Sequence, residues 1–348
     1  MSRFISDVAY DRSNHFNLIR MLAATGVLVS HAFPLSRGRG MADPLTDFLG
    51  ISLGTCCVYV FFVLSGFFIA SSYERSLGWR DFIRARALRL FPALGVCLLI
   101  TIIAGSLITT EFTTNFAIDS ISYFFWNFTL FYGQTNLPGV FESNPFSDTI
   151  NGSLWTLNFE LLCYMLTLAL GIFGCLVSNG RFIAIILLFL VIYIASFVIL
   201  LPHRLSMLLE LGWPYLIGTS LWVFRKKISL SGRMATLSAG IGLTLVLTDA
   251  PPGAWIPFLG YLIIFLGYKD ASHILRYNSV GDYSYGVYIY AFPVQQLAVN
   301  FGTITPIHNI IYSFPMTLLL AIFSWHMIEK PALNFKNQLL SKIQKLSQ

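Results

Sequence analysis

The sequence has 348 residues, of which 56% are hydrophobic and 11% charged, and its mean hydropathy is +0.70. Soluble domains usually carry about a quarter charged residues, so this composition excludes an ordinary soluble enzyme and predicts an all-α polytopic membrane protein. The formal net charge of +6 does not indicate nucleic-acid binding, because the basic residues lie in loops beside apolar segments, where positive charge sets membrane orientation.

The apolar segments predict about ten transmembrane helices. In chain order they lie near residues 16–33, 51–72, 88–109, 154–177, 182–201, 206–224, 234–248, 254–268, 284–300 and 308–328. Several are shorter than the roughly 20 residues that a straight crossing requires, so the helix ends are defined only to within several residues. We expect a single membrane domain over 1–335, followed by a short cytoplasmic tail over 336–348.

The basic residues predict the orientation of these helices. Ten crossings place both termini on the same side of the membrane, and cytoplasmic loops of membrane proteins carry an excess of Lys and Arg. With the termini inside, the outer loops contain only Arg37, Arg39 and Arg204 of the 22 basic residues. The charge distribution therefore predicts that both termini are cytoplasmic.

A short aromatic segment, ISYFFWNFTLFY over residues 121–132, does not fit the pattern of spans. It is too short for a crossing, so we predict a re-entrant or interfacial segment on the outer face. It belongs to the loop over 111–152, which contains acidic residues but no Lys or Arg. Its aromatic rings either stack on sugars or form the aromatic belt at the level of the lipid headgroups.

The first predicted helix carries two ionisable residues, Arg20 and His31, eleven positions apart. At 3.6 residues per turn they face the same side of the helix, roughly 16 Å apart along its axis. Ionisable side chains inside membrane helices are costly and usually mark a site or a pathway. The alternative is an arginine that reaches the lipid headgroups and a histidine that binds a backbone carbonyl.

The second predicted span contains FFVLSGFF over residues 61–68. Ser65 and Gly66 are small, and small residues allow another helix to approach closely. We prefer this interpretation to a nucleophilic role for Ser65, because no neighbouring base is evident.

Three arginines, Arg84, Arg86 and Arg89, cluster just before Pro92, which suits the first turns of the third predicted helix. One interpretation is positive-inside anchoring. The other is a clamp for the phosphates of a cytoplasmic nucleotide-bearing donor such as an acyl-coenzyme A, because guanidinium groups bind phosphate oxygens in a bidentate manner.

The fourth predicted span begins NGSLWTLNFELLCY over residues 151–164. Its polar residues share one helical face: Ser153, Thr156, Glu160 and Tyr164. A buried carboxylate without a partner is costly, so Glu160 is expected to have one. His31 is predicted at a comparable depth, and a carboxylate that orients a histidine base is a recurrent catalytic arrangement; the alternative is a structural hydrogen bond between helices.

Two further patterns concern the rest of the chain. Glu329, followed by Lys330 and Pro331, indicates the exit of the last helix. The five cysteines lack the spacing of metal ligands and predict buried thiols. The sequence therefore indicates no metal site.

These motifs together resemble the membrane acyltransferase family 3, bacterial proteins that acylate sugars of surface and secreted polysaccharides. The shared features occur in the family's order: Arg20 with His31, FFVLSGFF, Arg86 and Arg89 before Pro92, SLWTLNFE ending at Glu160, SYGVYIYAFPV from Ser284, and the Glu329, Lys330, Pro331 triplet. Ala291 stands where relatives often have a histidine, so no second histidine is invoked there. We expect no extracellular hydrolase-like domain after the last span, although some members of the family carry one.

The resemblance implies an acyl-coenzyme A co-substrate, most simply acetyl-coenzyme A, that enters from the cytoplasm, and an acceptor hydroxyl on the outer side. We expect His31 and Glu160 to be catalytic, as general base and orienting carboxylate. The sequence leaves open whether the hydroxyl attacks the thioester directly or an acyl-enzyme forms first. Donor-binding candidates are Arg20, Arg84, Arg86 and Arg89, and further candidates for substrate contact are Asn17, Ser65, Trp155 and Tyr164. The acceptor is expected to be a polysaccharide or its lipid-linked precursor.

The resemblance also implies a bacterial inner-membrane location among lipids, within a polysaccharide assembly complex or a homodimer. Three alternatives stay open. One is transfer of succinyl or another short acyl group by the same mechanism. The others are a proton-coupled transporter or flippase of a polysaccharide precursor, which would use the ionisable residues as a relay, and a subunit that binds acyl-coenzyme A without turnover.

Overall fold

The computed structural model describes residues 3–335 except 12, 112, 132, 270–276, 278, 279 and 304. The predicted cytoplasmic tail over 336–348 lies outside the described residues, as does the last position of the aromatic segment 121–132.

The described chain is mostly helical, as expected where lipid offers no partners to backbone polar groups. Its elements are β1 (Arg3–Phe4), α1 (Ile5–Val8), α2 (Phe16–Arg37), α3 (Leu45–Leu49), α4 (Leu53–Glu74), α5 (Trp79–Ile108), α6 (Thr114–Thr129), a 3₁₀ turn (Gly152–Leu154), α7 (Trp155–Ile172), α8 (Asn179–Ala195), α9 (His203–Val223), β2 (Ser229–Leu230), α10 (Gly232–Leu247), α11 (Pro252–Gly267), α12 (Ser284–Asn300), α13 (Pro306–Ser324) and a π-helical turn (Trp325–Glu329). The strands β1 and β2 pair in antiparallel fashion.

Each of the ten predicted apolar segments contains a helix in the described chain. Among the residues that the structure describes, five helical stretches are long and apolar enough to cross a membrane: Phe16–Arg37, Leu53–Glu74, Trp79–Ile108, Gly152–Ile172 and Pro306–Phe335. Three further apolar helices are shorter: Asn179–Ala195, Gly232–Leu247 and Pro252–Gly267. The protein is therefore an all-α membrane protein, and the count of ten spans stays a prediction.

The aromatic segment 121–132 belongs to a longer helix than its apolar run indicated. Helix α6 begins at Thr114, before the apolar run, and ends where Leu130 adopts a left-handed conformation. The residues from Thr114 onward also belong to the helix. Its buried face is formed by Phe116, Ser120, Tyr123 and Asn127 and is therefore largely polar or aromatic. Hydropathy alone does not detect such a face.

The predicted helix exit at Glu329 is wrong. The chain makes a π-helical turn over Trp325–Glu329 and continues as helix to Phe335. Pro331 thus lies inside the continuous helical stretch, just after the π-helical turn, and does not end it. The π-helical turn directs Glu329 inward, and only 1% of its surface is exposed.

The described chain forms two compact units. Unit 1 comprises Met1–Arg20, Cys56–Phe82 and Phe159–Val280, and unit 2 comprises Met21–Thr55, Ile83–Asn158 and the chain from Gly281 onward. Helices α2, α4, α5 and α7 contribute residues to both units. The expectation of a single membrane domain over 1–335 stays a prediction.

Unit 1 contains a close contact between α4 and α9. A Cβ atom on Gly66 would collide with the carbonyl of Tyr215, and one on Gly218 would collide with the carbonyl of Val63. Thr219 also donates a hydrogen bond to the carbonyl of Gly66 at 3.3 Å. The predicted close helix approach at Ser65 and Gly66 is thus confirmed.

Unit 2 contains another close contact, between α12 and α13. A Cβ atom on Gly286 would lie 2.7 Å from the Cα of Ala321, so glycine is required for this packing. The buried face of α13 is polar along its length, with Asn309, Ser313 and Thr317 fully buried. This pair of helices contributes side chains to the surroundings of His31 and of Arg89.

Candidate functional site

His31 lies on α2 in unit 2 and contacts Phe292 of α12. The two ring centroids are 5.3 Å apart and the rings are nearly perpendicular, at 77°. The Nδ1 atom of His31 is buried and has no hydrogen-bond partner among the described residues. The side chain is nevertheless partly exposed. Nε2 is not among the buried atoms without a partner, nor is it bonded within the described chain, so it is the accessible nitrogen.

A pair of buried amides holds the helix turn that precedes His31. Gln295 donates through Nε2 to the carbonyl of Leu28 and to Oδ1 of Asn309, both at 2.9 Å. Asn309 returns a hydrogen bond from Nδ2 to the carbonyl of Gln295 at 3.1 Å. Leu28 lies about one helical turn before His31. Gln295 and Asn309 therefore fix the position of His31 against α12 and α13.

A buried carboxylate holds the chain that follows α2. Asp43 accepts a hydrogen bond from the hydroxyl of Ser30 at 2.6 Å and from the backbone N–H of Leu53 at 3.0 Å. It also accepts from the N–H of Leu45 at 3.0 Å. Because Ser30 precedes His31 directly, this carboxylate provides a second anchor for the helix turn that leads to the histidine.

The chain before α7 also packs against the histidine's neighbour. A Cβ atom on Gly152 would lie 2.6 Å from the ring of Phe292, so only glycine fits there. Asn151 donates to the carbonyl of Ile289 at 2.9 Å, and the hydroxyls of Thr156 and Tyr288 lie 2.5 Å apart. Trp155, a predicted substrate contact, lies at the start of α7 and is exposed.

The three predicted donor-binding arginines of α5 have different surroundings in unit 2. Arg84 is exposed, and Arg86 is half-buried. Arg89 donates from Nη2 to Asp282 at 2.7 Å and from Nη1 to Glu329 at 2.9 Å. Both arms of its guanidinium are thus bound to carboxylates of the same unit.

Hydroxyl groups complete the arginine–carboxylate cluster. Ser284 donates to Asp282 at 2.5 Å, and Ser324 donates to Glu329 at 3.0 Å. The Arg89 guanidinium also lies over the ring of Tyr285, 5.8 Å from its centroid. Sequence reasoning did not identify Asp282 as part of any site, and the signal was only its position just before the SYGVYIYAF motif.

The remaining predicted residues lie in unit 1. The guanidinium of Arg20 stacks over the ring of Phe68, 4.9 Å from its centroid, and Asn17 is half-buried. The hydroxyl of Ser65 is buried and has no hydrogen-bond partner among the described residues.

Glu160 and Tyr164, one turn apart on α7 in unit 1, are joined by a hydrogen bond from the Tyr164 hydroxyl to the Glu160 carboxylate. The structure thus brings together two of the four residues in the predicted polar stripe. Because His31 belongs to unit 2, its pairing with Glu160 stays a prediction.

Residues 14–327 match a protein-family model for the acyltransferase 3 family, described as an acyltransferase domain. An O-acetyl transferase of Shigella phage Sf6 is 31% identical over 353 residues, which cover 95% of this chain and 99% of the phage protein. Nodulation protein 10 of Rhizobium leguminosarum bv. viciae is 26% identical over 371 residues, covering 94% of this chain and 95% of that protein. No solved structure matches the chain.

Proposed function

Because this chain belongs to the acyltransferase 3 family, we propose that it transfers an acyl group from acyl-coenzyme A to a hydroxyl of a surface or secreted polysaccharide, or of its lipid-linked precursor. Acetyl is the group we expect, since the phage relative is named an O-acetyl transferase. The donor enters from the cytoplasm and the acceptor from the outer side of a bacterial inner membrane.

The surroundings of His31 are the observation that carries this proposal. An imidazole that serves as a general base must be neutral and must present one nitrogen to the substrate. His31 has an accessible Nε2, no ion pair among the described residues, and an aromatic neighbour in Phe292. The helix turn before it is also held at two positions, Leu28 and Ser30, by buried hydrogen bonds. This arrangement suits a base that must be neutral, accessible and fixed in position.

The reaction follows from that role. Nε2 of His31 takes the proton of the acceptor hydroxyl while the hydroxyl oxygen attacks the thioester carbonyl. The new carbon–oxygen bond forms a tetrahedral intermediate, which collapses as the carbon–sulfur bond breaks. The imidazolium then gives its proton to the departing thiolate, so the products are the ester and free coenzyme A. Glu160 stabilises the imidazolium in this scheme and Tyr164 orients Glu160.

On the donor side, Arg84 is the best placed of the predicted arginines, because it is exposed on the first turns of α5. An exposed guanidinium can bind the coenzyme phosphates in a bidentate manner. Arg20 and Arg86 are proposed as further donor contacts. Arg89 is bound to two carboxylates, so we propose that it contributes mainly by fixing the helices at this end of unit 2.

A transfer assay with purified protein in lipid nanodiscs tests the proposal. Radiolabelled acetyl-coenzyme A and succinyl-coenzyme A are supplied separately, together with lipid-linked and free glycans from the native host. Label in the glycan and release of coenzyme A thiol are measured in parallel. We expect both signals with acetyl-coenzyme A, in equal amounts, since each ester formed releases one thiol.

Other outcomes contradict the proposal in distinct ways. Thiol and label from succinyl-coenzyme A alone would overturn the acetyl assignment but not the reaction class. Movement of a lipid-linked glycan across a vesicle membrane without consumption of any acyl donor would overturn the enzyme and support a flippase. Binding of acyl-coenzyme A without release of its thiol, whichever glycan pool is supplied, would leave only the binding-subunit alternative.

A further inference from the structure

Unit 2 has a cavity of about 560 Å³ between α6 and the chain that follows it. Of the described residues, six line the cavity: Ser122, Trp126, Gly133, Gln134, Thr135 and Asn136. None of them is charged. Trp126 is 47% exposed. The described lining is thus uncharged and polar, with one partly exposed aromatic side chain.

This lining has the chemistry that recognises a neutral sugar. A pyranose presents C–H groups on one face and hydroxyls around its edge. An indole offers an apolar face to the C–H groups, while amides and hydroxyls both donate and accept hydrogen bonds. The surrounding chain from 111 to 150 adds Glu111, Asp119, Glu142 and Asp148 but no Lys or Arg. One cation, Arg39, contacts this chain through the carbonyl of Ser147 at 2.7 Å, but it is not among the lining residues. The described lining thus offers no cation to an anionic sugar.

The cavity is linked by direct contacts to the surroundings of His31 within unit 2. The backbone N–H of Ile150 donates to the carbonyl of Thr135 at 2.8 Å, so one wall of the cavity is bound to the chain just before Gly152. Gly152 in turn packs against the ring of Phe292, which contacts His31. The wall of the cavity is therefore linked to the candidate catalytic histidine through Gly152 and Phe292.

A second link fixes the same wall to α7. The side-chain amide of Asn158 donates to the carbonyls of Leu130 and Phe131, the latter at 3.4 Å. Asn127 donates to the carbonyl of Gln134 at 2.9 Å. The cavity wall is thus bonded to α6 on one side and to α7 on the other, which makes it a preformed site.

Helix α6 presents a different surface beside the cavity. Ile118, Ile121 and Phe125 lie on one helical face at spacings of three and four residues, and about 60% of each is exposed. Trp126 and Ser122 lie between this apolar face and the buried face of the helix. An apolar face next to a polar cavity suits a sugar that is delivered on a lipid carrier.

We propose that this cavity is the acceptor subsite, which binds a neutral sugar unit of the glycan by stacking on Trp126. The inference rests on the proposed function, because it states where the acceptor of that reaction binds and that its sugar unit is uncharged. Its binding step, however, can be measured without any acyl transfer.

Binding is tested first, on the full chain in nanodiscs without donor. Saturation-transfer NMR is recorded with methyl α-glucopyranoside, methyl α-rhamnopyranoside and the methyl glycoside of glucuronic acid as probes. Trp126→Ala is compared with Trp126→Phe, which keeps an aromatic ring, and with Phe125→Ala, which removes a neighbouring exposed ring outside the cavity. We expect Trp126→Ala alone to lose the signal of a neutral glycoside, and we expect no signal from the glucuronide.

Kinetics provides the second arm. Since aromatic side chains that become buried on binding commonly dominate recognition, Trp126→Ala should raise the acceptor KM about tenfold or more, with the donor KM unchanged. Phe125→Ala should leave the KM of a free oligosaccharide unchanged and should raise only that of a polyprenyl-linked one, if the sugar arrives on lipid. If Phe125→Ala changes the KM of neither acceptor, the sugar arrives as free glycan and not on a lipid carrier.

Equal loss of glycoside binding in Phe125→Ala and Trp126→Ala would overturn the site, because it would indicate a general interfacial effect. Unchanged binding and an unchanged acceptor KM in Trp126→Ala would overturn it as well. If the wild type transfers no acyl group but binds a neutral glycoside through Trp126, the proposed function fails and the sugar site stands.

Discussion

Two ionisable side chains of unit 2, Arg89 and His31, have opposite surroundings. Each arm of the Arg89 guanidinium is bound to a carboxylate, and each carboxylate accepts a further hydroxyl. His31 has a buried nitrogen without a partner among the described residues and an accessible second nitrogen. A polar side chain whose hydrogen bonds are all made within the protein stabilises the fold. A side chain that has an unused hydrogen-bonding atom is available to a substrate. Arg89 and His31 both belong to sequence motifs, but these surroundings favour a structural role for Arg89 and a catalytic role for His31.

The largest effect on stability that this comparison predicts is for Arg89→Ala. The substitution leaves the buried carboxylates of Asp282 and Glu329 without their cation, and breaking such a cluster costs about 3–5 kcal/mol. Unfolding of the purified protein by sodium dodecyl sulfate measures the change. Arg84→Ala is the matched control, since Arg84 is exposed on the same helix. Equal stability of the two variants would contradict a structural role for Arg89.

Gln295→Leu tests whether the position of His31 depends on the buried amides. It removes the hydrogen bonds to Leu28 and Asn309 that position His31, and small displacements of a catalytic group lower rates by about tenfold or more. We expect kcat to fall while the KM of each substrate stays unchanged. Asn309→Leu should have a similar effect, and the double variant should lose little more, because the two amides bind each other. A loss of stability with unchanged kcat would reduce Gln295 to a packing residue.

A smaller effect is expected for Arg84→Ala on donor binding. Loss of one exposed contact to a phosphate should raise the KM for acetyl-coenzyme A by about threefold to tenfold at low salt, and by less at high salt because of screening. Lys226→Ala provides the control, since Lys226 is an exposed cation outside the proposed donor site. Identical donor KM values in both variants and the wild type would remove Arg84 from the site.

The sequence predicted the helices well because hydropathy is a local property. Each of the ten apolar segments contains a helix in the described chain. The early start of α6 at Thr114 was missed, because its buried face includes Ser120 and Asn127. The inward turn at Glu329 was missed as well, since a π-helical turn leaves no distinct hydropathy signal.

The candidate site was harder to predict because its contacts join distant parts of the chain. Arg89 is separated from Asp282 by 193 residues and from Glu329 by 240, so no local pattern indicates that its charge is neutralised. Phe292 was quoted only as part of a motif, and its contact with His31 depends on the packing of α12 against α2. Motifs thus identified His31, and only the fold separates its chemistry from that of Arg89.

The proposed role of His31 as the base of an acyl transfer can be measured by single-turnover transfer from bound acetyl-coenzyme A, with the donor Kd determined on the same samples. His31→Ala is compared with His308→Ala, which removes an exposed histidine at the start of α13. We expect His31→Ala to slow thiol release and ester formation by about 10²–10⁴-fold, with donor Kd and stability unchanged. His308→Ala should behave as the wild type. A wild-type transfer rate in His31→Ala would show that His31 is not the base.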